Sequence, residues 1–170
     1  EDDGKFNEID YVANAFFPDG TQKVIDVKEK LADDATSVST STKGWFTYTV
    51  KNDEYTLKAV EAGKTITGNV AANAQITKNG SVAINANSYV KGTNSTVFVV
   101  VDEDDNVKSY TGIKNVPSIK AGNTVNKIVV AVVKNTDGYA EYVYIDTADQ
   151  ATIKGATSSA SDLVYILNPA

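Results

Sequence analysis

The stretch WFTYTVKNDEYTLKAV, residues 45–60, decides the fold class. Phe46, Tyr48 and Val50 alternate with other residues on one side of Asn52-Asp53, and Tyr55, Leu57 and Ala59 alternate on the other. Successive side chains of a strand point to opposite faces, so each half offers one face for burial and one for water. Asn and Asp favour tight turns, and the stretch is predicted as an antiparallel hairpin. Trp45 is out of phase with Phe46, Tyr48 and Val50, so one of these two sets points away from the core that holds the other.

The same pattern extends outward in both directions. Upstream, residues 6–17 and 22–27 read as strands joined by a turn at Pro18-Asp19-Gly20, and DVKEKLADD (26–34) is the one stretch suited to a helical turn or two. ATSVSTSTK (35–43) is Ser/Thr-rich and reads as a loop or linker. Downstream, strands are expected at 65–72, 74–77, 81–86 and 88–91, with turns at Gly63 and Lys78-Asn79-Gly80. Asn-Gly is the strongest short hairpin signal. TVFVVV (96–101) is a strongly apolar strand, and residues 102–106 turn the chain into 107–111. Pro117 bars the segment 112–122 from a central strand. Residues 125–134 and 139–146 form a second hairpin, in which 128–133 is apolar on both faces and therefore central. After a second small-residue linker (156–161), DLVYILN (162–168) is strand-like again and echoes IDYVAN (9–14). It reads either as a closing strand or, on the strength of that echo, as the first strand of a following module.

These signals predict an all-β, antiparallel barrel or sandwich of roughly ten to twelve short strands. Two small β subdomains are compatible with them: residues 1–64 with the hairpin 45–60, and 65–155. Residues 156–170 are left as linker and start of a further module.

Composition narrows the chemistry. The chain has 170 residues, 42% hydrophobic, and no apolar run near the ~20 residues that a membrane helix needs. His, Cys and Met are absent, and all 16 basic residues are Lys. The usual neutral-pH proton shuttle, thiolate nucleophiles, the common zinc ligands and arginine forks are therefore missing. A Ser-His-Asp triad is impossible without His. A net charge of −6 argues against nucleic acid and anionic membrane surfaces as partners. The lack of Cys fits an exported Gram-positive bacterial protein and fits a cytosolic one equally. The expectation is a protein that is not an enzyme and carries no cofactor.

Three local features deserve comparison with their ordinary structural roles. Asp102, Asp104 and Asn106 have the spacing of a calcium-loop start, but the glycine and distal glutamate of such a loop are lacking, and an acidic hairpin tip is the ordinary reading. Trp45, Tyr48 and Tyr55 cluster on one hairpin and Tyr139, Tyr142 and Tyr144 on another. Exposed coplanar rings would form a sugar platform, whereas core filling and cross-strand pairing are the ordinary use of such rings. Lys58 and Lys127, on or beside strands, are candidate amines for a Lys–Asn isopeptide bond; a solvent-facing lysine is the ordinary reading.

Residues 96–119 (TVFVVVDEDDNVKSYTGIKNVPSI) and 138–146 (GYAEYVYID) resemble the repeated β-rich regions of large S-layer-homology-domain surface proteins of Firmicutes. The specific part of the resemblance spans about a third of the chain, and the anchoring repeats of such proteins are not among these residues. The resemblance implies a non-catalytic structural or display module, extracellular at the bacterial cell surface. Its expected partners are neighbouring modules or a surface array. The alternative is an adhesion module that binds cell-wall or host glycan or a protein.

Overall fold

The computed structural model describes residues 11–27, 44–102, 104–123, 128–147 and 163–169. The fold is all-β. The strands are β1 (Tyr11–Phe16), β2 (Gln22–Val27), β3 (Gly44–Lys51), β4 (Glu54–Ala59), β5 (Thr65–Asn69), β6 (Thr77–Lys78) and β7 (Ser81–Ala83). They continue with β8 (Tyr89–Lys91), β9 (Val97–Val101), β10 (Val107–Thr111), β11 (Val129–Lys134), β12 (Ala140–Asp146) and β13 (Leu163–Pro169). The helical turns expected at 26–34 and the Ser/Thr linkers at 35–43 and 156–161 lie partly or wholly outside the described residues.

The strands build three layers. A closed five-stranded barrel has the order β1-β13-β3-β4-β2. A five-stranded sheet has the order β10-β9-β12-β11-β5, and a three-stranded sheet the order β6-β7-β8. Most ladders are antiparallel, but β2 runs parallel to β4 and β9 parallel to β12, so the purely antiparallel expectation needs that amendment.

The hairpins fall where the turn residues place them. Asn52 and Asp53 both have positive φ (53° and 64°), the left-handed pair that matches the twist of two antiparallel strands. Asn79 and Gly80 (52° and 77°) repeat the device between β6 and β7.

The C-terminal strand differs from the expectation of a following module. β13 inserts between β1 and β3, pairing Ala15 with Ile166 on one side and Phe46 with Val164 on the other. Val164 and Ile166 are fully buried among Ala13, Ala15, Leu57 and Phe46 inside the barrel. The barrel is thus built from both ends of the described chain, and the sheets come from the segment between. Residues 11–14 and 163–168 of that echo lie on neighbouring staves of one barrel but in opposite phase: Ile166, which aligns with half-buried Val12, faces inward, whereas in β1 Ala13 and Ala15 do.

The central sheet is buried on both sides, which explains its unbroken apolar strands. Every residue of β9 is buried. Phe98 and Val100 point, with Val130, Val132, Val143 and Ile145, toward the three-stranded sheet and the loop of residues 112–122. Val99 and Val101 point the other way, with Ala131, Val133 and Tyr144, onto the outside of the barrel. A strand covered on both faces loses the polar half of its alternation.

Gly68 marks a tight approach between the sheets. A Cβ there would lie 2.4 Å from the carbonyl oxygen and 2.7 Å from Cγ2 of Ile84. The oxygen is main chain and cannot swing aside, so Gly68→Ala must push the two layers apart. Overpacking of this kind costs about 1–3 kcal/mol. Chemical denaturation of the variant should show that loss with little change in slope; a wild-type midpoint would mean the layers are not packed as described.

Candidate functional site

The aromatic residues singled out by sequence do not share a surface. Trp45 is 4% exposed and lies on the outer wall of the barrel, where its indole N–H donates to the Ala131 carbonyl oxygen at 3.0 Å. Its ring packs tilted on Tyr142 and edge-on against Tyr165, each with centroids 5.7 Å apart. Adjacent Phe46 points inward and is also buried. The phase conflict in the hairpin is resolved by two cores, one on each side of the barrel wall. A stacked pair, Tyr144 on Tyr165 at 3.7 Å and 13°, continues the same seam. The Ser109 hydroxyl adds a buried hydrogen bond to the Pro18 carbonyl across it. Trp45 is therefore a joint between barrel and sheet and offers no face to a ligand.

Tyr55 and half-buried Tyr48 face the opposite way, into one mouth of the barrel. Together with Phe17 they form a ring cluster with centroids 5.4–6.3 Å apart. The Lys23 ammonium sits 5.2 Å from the Phe17 ring and 5.1 Å from the Tyr55 ring, a cation–π lid. A hydrogen bond to Tyr55 holds the Lys23 pKa above its ordinary value. These rings plug the barrel.

The acidic turn is likewise self-contained. Asp102 Oδ1 accepts from the backbone N–H groups of Asp104 and Asn106, each at 2.9 Å, and Asp105 takes the left-handed conformation (φ 60°). The Asp102 carboxylate organises the hairpin tip, as a short polar side chain does in an Asx turn. Among the described residues no three acidic side chains gather as a metal site would require. Lys58 stands exposed on β4, away from the burial that an isopeptide amine needs, and Lys127 lies outside the described residues.

Three cavities among the described residues bear on function. The first, about 410 Å3, runs between the β6–β7 hairpin and the loop of residues 113–118. Three of its polar side chains are engaged with the loop: Gln75 Nε2 donates to Ser118 Oγ (2.7 Å) and to the Ile119 carbonyl (3.0 Å), and Thr77 Oγ1 donates to the Pro117 carbonyl (2.7 Å) while accepting from Ile119 N–H (2.9 Å). That network staples the loop to the sheet. A second, about 370 Å3, is a crevice between barrel and sheet near Val60 and Glu141.

The third, at about 610 Å3 the largest of these three, lies between β8 and the β11–β12 turn. Val90 is buried, so its strand neighbours Tyr89 and Lys91 are turned outward. Ile66 and Val90 supply apolar lining, and Asn87 and Ser88 line the approach to β8. The facing wall is the turn of residues 135–139. Asn135 Oδ1 accepts from the N–H groups of Asp137 and Tyr139, both at 3.0 Å, and the Asn135 N–H donates to the Tyr139 carbonyl at 2.9 Å. Gly138 completes the turn at φ +83°, and Tyr139 and Asp137 are presented from a braced backbone.

Tyr89 is 61% and Tyr139 41% exposed. They are the only exposed aromatic rings among the residues whose burial is described, and both line this groove. Tyr139 stood among the aromatics noted in the sequence and Tyr89 did not. The signal for Tyr89 was its place in Tyr89-Val90-Lys91, where one apolar residue between a ring and a charge fixes which side faces water. No family model, curated protein or solved structure matches the chain.

Proposed function

We propose that the chain is a non-catalytic structural and display module of a bacterial cell-surface protein of the S-layer type. One observation carries the display reading. Ala13 of β1 pairs with Pro169 of β13, so the chain enters and leaves the barrel at neighbouring points. A unit built this way hangs to the side of any longer chain that carries it, which suits presentation better than in-line spacing. The closed barrel locked to a doubly covered sheet supports the structural role.

The test is the mass and location of the native polypeptide. Peptides of this chain recovered from a surface-layer extract on a polypeptide far heavier than 18.1 kDa are the expected result. A native mass near that value, or recovery from cytoplasm alone, would overturn the reading.

A further inference from the structure

We infer that the groove between Tyr89 and Tyr139 is a carbohydrate-binding subsite, with a preference for saccharides that carry carboxylates. Three observations converge on it. Two exposed rings occupy opposite walls of one groove, while every other aromatic side chain whose burial is described is buried or half-buried. Pyranose rings present flat C–H faces to aromatic rings and hydroxyls around their edge, so a sugar site combines rings with amides and charged groups. Asn87, Lys91, Lys134 and Asp137 supply those groups in the same lining.

The charge of the groove is the second observation. Two lysines against one aspartate make it locally cationic on a chain whose net charge is −6. An anionic substituent is thereby favoured over a neutral one in this place, against the field of the rest of the molecule. The third is preorganisation. Tyr139 follows a turn fixed by three hydrogen bonds to Asn135, and β8 is anchored by Val90, so little order has to be imposed on binding.

An extended peptide is the competing occupant, since β8 forms one edge of the three-stranded sheet. β8 is only three residues long, too short a ladder for strand addition to supply affinity and register. The saccharide reading uses the side chains that are exposed there, and it holds wherever the protein resides, so its failure and that of the display reading are separate results.

The experiment is NMR or calorimetric titration of the full chain with oligogalacturonate, with cellotetraose as the neutral counterpart. Oligogalacturonate should bind more tightly than cellotetraose, and the difference should shrink with added salt. Tyr89→Ala and Tyr139→Ala should each weaken binding roughly tenfold. Lys134→Gln should weaken oligogalacturonate and leave cellotetraose unchanged. The tyrosines are exposed, so their truncation should leave thermal unfolding in place and keep the comparison fair. Binding of neither saccharide at about 10 mM would overturn the proposal, as would binding that all three substitutions leave intact. Preferential binding of an extended peptide, lost on the same substitutions, would replace it with strand addition.

Discussion

Ile166→Asp is expected to unfold the barrel. Ile166 has no exposed surface and packs with Ala15, Leu57 and Val164 in the interior of a closed sheet. Losing a buried aliphatic side chain of this size costs about 2–5 kcal/mol. The carboxylate that replaces it would have to stay ionised in an apolar interior or take up a proton, and either adds to the penalty. Single substitutions beyond about 4 kcal/mol are exceptional, and small domains have only about 5–15 kcal/mol in total. Damage should also spread, because Tyr165 and Leu167 on the other face of β13 pack into the seam that seals the central sheet. The measurement is thermal or denaturant unfolding followed by far-ultraviolet circular dichroism, with indole fluorescence reporting on Trp45 at the seam. A variant within about 1 kcal/mol of the parent would show that β13 does not belong to this barrel, the result expected if the strand served a following module instead.

That contrast marks where sequence reasoning carries and where it stops. The two hairpins, residues 45–60 and 129–146, were legible because alternation and turn chemistry are local: Asn52-Asp53 adopts the left-handed pair that its residue types favour. The pairing of β13 with β1 and β3, and the parallel ladders of β2 with β4 and β9 with β12, join segments far apart in the chain. Nothing in a strand's own residues names its partner across such distances. The site was half legible for a related reason. Alternation says that Trp45 faces away from Phe46, but only the presence of a second layer decides whether that outward face is wet. At Trp45, Tyr144 and Tyr165 the barrel and the sheet cover one another. At Tyr89 and Tyr139 no layer of the described residues covers the rings, and that difference comes from tertiary stacking.

The seam carries the other large expectation. Between pH 10 and 12 the fold should lose about 2 kcal/mol through Tyr165 alone, with Tyr144 adding to the loss. Burial, and after it the negative charge of Asp146, pushes the Tyr165 hydroxyl up from 10.0 to about 12. Tyr144 is raised still further, by burial first and then by Asp146 and by Tyr165 itself. Its hydroxyl has no hydrogen-bond partner among the described residues, so nothing in the seam would solvate a phenolate there. The sign follows from proton counting. Above pH 10 the unfolded chain releases these protons and the folded chain keeps them, so rising pH favours unfolding until the folded value is passed. Below pH 10 both states are protonated and the two tyrosines contribute no slope. The phenolate absorbance of the folded protein should accordingly lag behind its 9 tyrosines, and the buried pair should titrate together with loss of structure. Lysine deprotonation in the same range adds net negative charge, and a control separates it. Tyr144→Phe combined with Tyr165→Phe keeps every lysine and the ring stack but removes both hydroxyls. That variant should be as stable as the parent or more so at pH 8, since an unpaired buried hydroxyl is lost, and should resist alkali better. Equal alkaline midpoints for parent and double variant would show that the seam is open to water, and the picture of a sealed joint between barrel and sheet would have to be abandoned.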